Sequence, residues 1–168
     1  CLGVAGCGTS IHDEAAAGNL DNVQAMLESD SALVNSRNVK EKTPLFFAVT
    51  NNREEVVKHL LAKGADVNAA DATGLTPLHI ASWFDRKQIA LQLLRHGADI
   101  SARDTFGDTP LHTAALHGRV EMIDLLVGAG AVLEARNDQG LTPLDLARKH
   151  RQENAVTKLE DLLDRVDD

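Results

Sequence analysis

The dipeptide Thr-Pro occurs at Thr43-Pro44, Thr76-Pro77, Thr109-Pro110 and Thr142-Pro143, at a constant spacing of 33, and these are all four prolines of the chain. A fixed period of this length implies a row of like units, each covering its neighbour's apolar face, rather than one closed core. Only 3% of the 168 residues are aromatic and none is Tyr. The filling must therefore come from Leu, Val, Ile and Ala, which suits thin layers of small helices. With 43% apolar and 25% charged residues the chain reads as folded. A net charge of −8 argues against non-specific binding to nucleic acid or anionic lipid. No stretch reaches the roughly 18–20 apolar residues of a spanning helix. Both cysteines lie in the first seven residues, so no disulfide framework holds the body.

Aligned on Thr-Pro, Thr76-Pro-Leu-His-Ile-Ala81 matches Thr109-Pro-Leu-His-Thr-Ala114, with variants at Thr43–Ala48 and Thr142–Ala147. Each internal copy continues into a second apolar run, Val56-Val57…Leu60-Leu61, Ile89-Ala90…Leu93-Leu94 and Met122-Ile123…Leu126-Val127. Apolar residues at i, i+1, i+4 and i+5 trace a helical face. Gly64, Gly97 and Gly130 follow, placed as helix-terminating residues with positive φ. Asp71…Gly74, Asp104…Gly107 and Asn137…Gly140 carry turn chemistry before the next Thr-Pro. The unit is then a short helix capped by Thr with Pro at its first position, a tight turn, a second antiparallel helix and an extended loop.

These residues resemble the ankyrin repeat, whose Thr-Pro-Leu-His-x-Ala signature they carry in register with the period and with the Gly64-Ala-Asp-Val-Asn68 trailer. The resemblance implies an all-α ankyrin-repeat solenoid of stacked helix-turn-helix units with β-hairpin fingers, acting by protein binding and not as an enzyme. Five units are expected over 8–168: an N-cap at 9–37, internal units at 38–70, 71–103 and 104–136, and a C-cap at 137–168. In the N-cap, Thr9-Ser10-Ile11-His12 takes the place of the signature at a spacing of 34. The C-cap sets Ala155, Val156, Leu159, Leu162, Leu163 and Val166 on one side and charged residues on the other. Glu41 stands where the other tips have Gly, which implies a different first turn.

Val4-Ala5-Gly6-Cys7 looks like a bacterial lipobox. On that reading 1–7 is the end of a lipoprotein signal peptide and Cys7 becomes the acylated first residue, anchoring the protein in the cell envelope. The competing reading is an apolar scrap with a chance match, leaving a soluble intracellular adaptor or inhibitor.

Seven histidines invite a metal or catalytic reading, yet no pair has His-Glu-x-x-His spacing, no Cys-x-x-Cys occurs and no Gly-x-Ser-x-Gly is present. No cofactor is expected. The resemblance gives His79 and His112 a structural role, bonding the capping Thr and the next finger. It also puts the partner surface on the concave side. By position this includes Thr50 and Asn51 in the second unit, and Thr73 and Leu75 with Trp83 and Phe84 in the third. Thr105, Phe106 and Asp108 with Leu116 and His117 follow in the fourth, and Lys149 in the last. Trp83 and Phe84 are read either as contact residues or as padding between helices and fingers. The expected partner is a protein, with the chain itself a monomer.

Overall fold

The computed structural model describes residues 9–165. Among them lie ten α-helices in five short–long pairs. The short helices are α1 (Ile11–Ala17), α3 (Pro44–Thr50), α5 (Pro77–Trp83), α7 (Pro110–Leu116) and α9 (Pro143–Lys149), each of 7 residues. Their partners are α2 (Leu20–Ser29), α4 (Glu54–Ala62), α6 (Lys87–Arg95), α8 (Val120–Gly128) and α10 (Glu153–Asp164). Each Thr-Pro opens a short helix: Thr43 Oγ1 accepts from the Phe46 amide (3.3 Å), and Thr142 Oγ1 from that of Asp145 (3.2 Å). Pro at the first helical position gives up a donor that would have had no partner. Gly64, Gly97 and Gly130 have φ of 85°, 84° and 99° just past α4, α6 and α8, as their placement predicted.

The short helices stack into one row and the long helices into a second. Ala48, Ala81, Ala114 and Ala147 are fully buried in the short-helix row, where their small side chains let neighbours approach closely. The long-helix row is held apart by Val56, Leu60, Ile89, Leu93, Met122 and Leu126, and its members touch more sparsely. The short helices thus lie closer to one another than the long helices do. Leu45, Leu78 and Leu111 are fully buried between the rows. Truncating one of these to Ala would cost roughly 2–5 kcal/mol. At the end of the stack, α10 buries Ala155 and Leu159, while Glu160 and Lys158 pair with Arg148 (2.6 Å) and Asp124 (2.8 Å). Val166 and Cys7 lie outside the described residues.

The first unit departs from the expected register. Ser10, not Thr9, caps α1: its Oγ accepts from the Asp13 amide (3.2 Å) while Asp13 Oδ2 accepts from the Ser10 amide (3.1 Å). Ser10 precedes Thr43 by the same interval that separates the Thr-Pro pairs, so the period holds here too. The 3-10 turn over Ser31–Asn35 adds a residue, but the α1–α2 turn through Gly18 (φ 87°) is one residue shorter, and the two changes cancel. Thr9 instead gives its hydroxyl to the Glu14 carboxylate.

The expected β-hairpin fingers are present only as their turns. Each tip is closed by bonds such as Asp71 N–H to Leu75 O (3.0 Å) and Gly74 N–H to Asp71 O (2.9 Å). Adjacent tips share one bond, Thr105 N–H to Thr73 O (3.1 Å) or Asp138 N–H to Phe106 O (3.0 Å). The arms are too short to extend a ladder, and no strand forms among the described residues.

Candidate functional site

The finger turns are set by one side chain apiece. Asp71 Oδ1 accepts from the amides of Thr73 (2.9 Å) and Leu75 (3.2 Å), and Asp104 Oδ1 from those of Phe106 (2.8 Å) and Asp108 (2.9 Å). Asn38 and Asn137 do the same in the first and last fingers. Such Asx turns hold a short loop rigid without a ladder. The first finger keeps this turn despite Glu41, correcting the expectation from sequence: Glu41 adopts φ 59°, close to the 79°, 74° and 76° of Gly74, Gly107 and Gly140. The hydrogen bonds of the turn outweigh the modest cost of a left-handed non-glycine residue.

Fingers are tied to helices by buried imidazoles. His79 Nδ1 accepts from the Thr76 amide (3.2 Å), which leaves Nε2 to donate to Asp108 O in the next finger (3.0 Å). His112 repeats this with Thr109 (3.2 Å) and Leu141 O (3.0 Å). Burial holds both rings below the ordinary imidazole range, partly offset by the carbonyls they meet. Each is thus a neutral connector with one fixed tautomer. Asp145, at the same position in the last unit, closes the cap with Thr142 (3.0 Å). No further finger follows it among the described residues.

Between the third and fourth helix pairs, the finger turns and the short helices enclose a groove of about 420 Å³. Leu75, Trp83, Phe106 and Leu116 supply its apolar walls, and Asp104 and Asp108 stand on the finger side. Trp83 keeps 39% and Phe106 62% of its surface exposed, so neither is a core residue. The Trp83 indole stacks on His117 (centroids 4.6 Å, 17°) and on Phe84 (5.9 Å, 16°). Its backbone carbonyl accepts from Arg119 Nε (2.9 Å). Burial, with Arg119 and His150 nearby, lowers the His117 pKa and favours the neutral ring that stacks there. Trp83 is thus held in the wall by two ring stacks.

Of the residues singled out from sequence, Thr73, Leu75, Trp83, Phe106, Asp108, Leu116 and His117 meet in this groove. Phe84 joins them through its stack on Trp83. Thr105 is exposed on the finger beside it. Thr50 and Asn51 lie a unit earlier, bonded to the carbonyls of Phe46 (2.8 Å) and Phe47 (2.9 Å). Lys149 is exposed at the end of α9, outside the groove. Sequence reasoning missed Asp104 and Thr113, which also line the groove, and the inter-unit pins Arg53 and Arg119. The recurrence of arginine at 53, 86 and 119 in step with the repeat was the available signal for the pins, although Arg86 Nε between them finds no hydrogen-bond partner among the described residues. Among the described residues there is no metal-ligating cluster and no helix long and apolar enough to cross a membrane.

Comparison with known proteins agrees with this architecture. The family model described as "Ankyrin repeats (3 copies)" matches residues 11–104, and that described as "Ankyrin repeats (many copies)" matches 93–147. No curated protein matches the chain. The first match alone spans more than half of the sequence, and with the helix pairs, the threonine caps and the histidine bridges in place the chain belongs to the ankyrin-repeat family.

Proposed function

We propose that the chain is a scaffold of five ankyrin units that binds a protein partner through its inner face, with the Trp83–Phe106–Leu116 groove at the centre of the contact. One observation carries this reading: a part-exposed aromatic wall, Trp83 stacked on His117 with Phe106 opposite, lines an open groove between the short helices and the finger turns, where a core would have buried it. Aromatic anchors surrounded by a polar rim supply most of the energy of typical interfaces. Thr73, Thr105 and Asp108 on the fingers would set specificity, with Thr50, Asn51 and Lys149 at the periphery. No reaction is part of this reading.

A pull-down from envelope extract, comparing the wild type with a Trp83→Ala/Phe84→Ala double variant, tests the surface. The variant should keep its circular dichroism spectrum and lose the captured protein. Equal capture by both proteins would remove the groove from the interface.

The proposal includes a lipid on Cys7 that tethers a monomeric scaffold to a bacterial envelope membrane, on the strength of the Val4-Ala5-Gly6-Cys7 motif. Palmitate labelling of the wild type and its absence in Cys7→Ser is the expected result. Label missing from both would favour the untethered adaptor, and label retained in Cys7→Ser would move the lipid off Cys7.

A further inference from the structure

We infer that the occupant of the groove is a protein segment that seats an aliphatic or aromatic side chain against Trp83, Phe106 and Leu116 and places a lysine or arginine next to it, against Asp104 and Asp108. The inference rests on the reading that the inner face binds protein and specifies the chemistry of what it binds.

Comparison of the repeats with one another gives the reason. In the second and third units Lys42 stands beside the finger acid Asp71, Nζ to Oδ2 3.7 Å, and Asp71 is almost fully buried. One repeat further on, Leu75 takes the position of Lys42 and Asp104 that of Asp71. At that junction the acid is kept and its cation is replaced by an apolar side chain that lines the groove. Asp104 uses Oδ1 for its own turn, and Asp108 uses Oδ1 to accept from Asn137 Nδ2 (2.7 Å). Among the described residues no lysine or arginine lies within ion-pair distance of either carboxylate. The neighbouring finger acid Asp138 does have one, Arg103 at 2.8 Å. The groove thus pairs apolar walls with two carboxylates lacking the counter-charge found beside acids of the adjoining fingers. An incoming lysine or arginine would take the place that Lys42 holds one unit earlier, its stem covering Leu75. A net charge of −8 favours the approach of such a segment.

The test uses the full chain as bait and random dodecapeptides displayed on phage as the probe. Trp83 is the only tryptophan, so its emission reports occupation of the groove by each synthetic hit. Enriched peptides should carry Leu, Ile, Phe or Trp within two positions of Lys or Arg and should shift Trp83 emission. The Asp104→Asn/Asp108→Asn variant should bind them about tenfold more weakly, with less dependence on salt. Its fold is protected, because Asn38 and Asn137 already close the same turn and an asparagine at 108 retains the oxygen that meets Asn137. Phe106→Ala separates the two claims. Binding lost with Phe106→Ala but unchanged in the asparagine pair would leave the groove as a docking site and overturn its cationic occupant. Enrichment of acidic peptides would do the same. No enriched peptide, or binding indifferent to both variants, would overturn both.

Discussion

Individual residues here work within a backbone repeated every 33 positions, so an odd residue can be judged against its counterparts. Glu41 occupies a left-handed conformation (φ 59°) that Gly adopts in the other three fingers. Its ion pair with Arg37 is long (3.5 Å) and exposed, and contributes little. Glu41→Gly should therefore stabilise the fold by about 1 kcal/mol, read as a higher urea midpoint at constant slope. An unchanged or lower midpoint would mean that Glu41 is not strained. Trp83 is the opposite case, a bulky side chain with little structural duty. Its stack on His117 is worth on the order of 1 kcal/mol. Trp83→Ala should cost no more than about 2 kcal/mol, well below the roughly 3–5 kcal/mol of a core tryptophan. A loss in that higher range would place it in the interior and remove it from the binding surface.

At the scale of elements, the links between a helix and the next finger decide cohesion. Replacing His79 by Ala removes a buried ring and leaves Asp108 O without its donor. The expected cost is about 2–4 kcal/mol, whereas His96→Ala on the exposed end of α6 should cost well under about 1 kcal/mol. The same rings make stability depend on pH. Burial lowers the pKa of His79, His112 and His117 below 6.5, so the unfolded chain takes up protons first as pH falls. Their contribution is complete above about 6.5 and declines from there towards the lowered folded values. Glu14, whose carboxylate accepts from Thr9, Asn22 and Asn19, and Asp13 and Asp145, held down by bonds to Ser10 and Thr142, act in the same direction in a lower window. The urea midpoint should fall from pH 7.5 to 5 and again below pH 4, and a flat midpoint between 7.5 and 5 would contradict the histidine assignment. Much of this level was legible in the sequence, because caps, turns and helical faces are local: Thr-Pro, the paired aliphatics and the glycines each fix their own neighbourhood. The cap at Ser10 also lay on the 33-residue period, but the extra residue between Leu27 and Val34 drew the register to Thr9, because the shorter turn at Gly18 that offsets it carries no sequence mark of its own. Asp104 read as a turn residue alone, because its place in the groove depends on the finger's offset from the helix before it.

For the whole molecule, stability should be close to a sum over units and their junctions, which makes the internal units exchangeable. Removing 104–136 is the informative case. The excision would bring Leu141 to the place of Asp108, giving His79 Nε2 the carbonyl that His112 now uses. Asp138 would meet Thr73 O in place of Thr105, and Ala147 would face Ala81 in place of Ala114. Every backbone link at the new junction thus has a partner already seen elsewhere in the chain. The shortened protein should keep its helicity per residue and unfold in one cooperative step. Its urea slope should be lower by about one fifth, since one of the five helix pairs among the described residues is gone and the slope follows the surface exposed. It would also lose Phe106, Leu116 and His117, so Trp83 emission should shift to the red and peptide binding in the groove should vanish. A broad, non-cooperative transition would show that the fourth unit is more than a spacer and that the junctions are not equivalent. Retained peptide binding would place the docking surface elsewhere on the stack, because the excision leaves only Thr73, Leu75 and Trp83 of the groove lining.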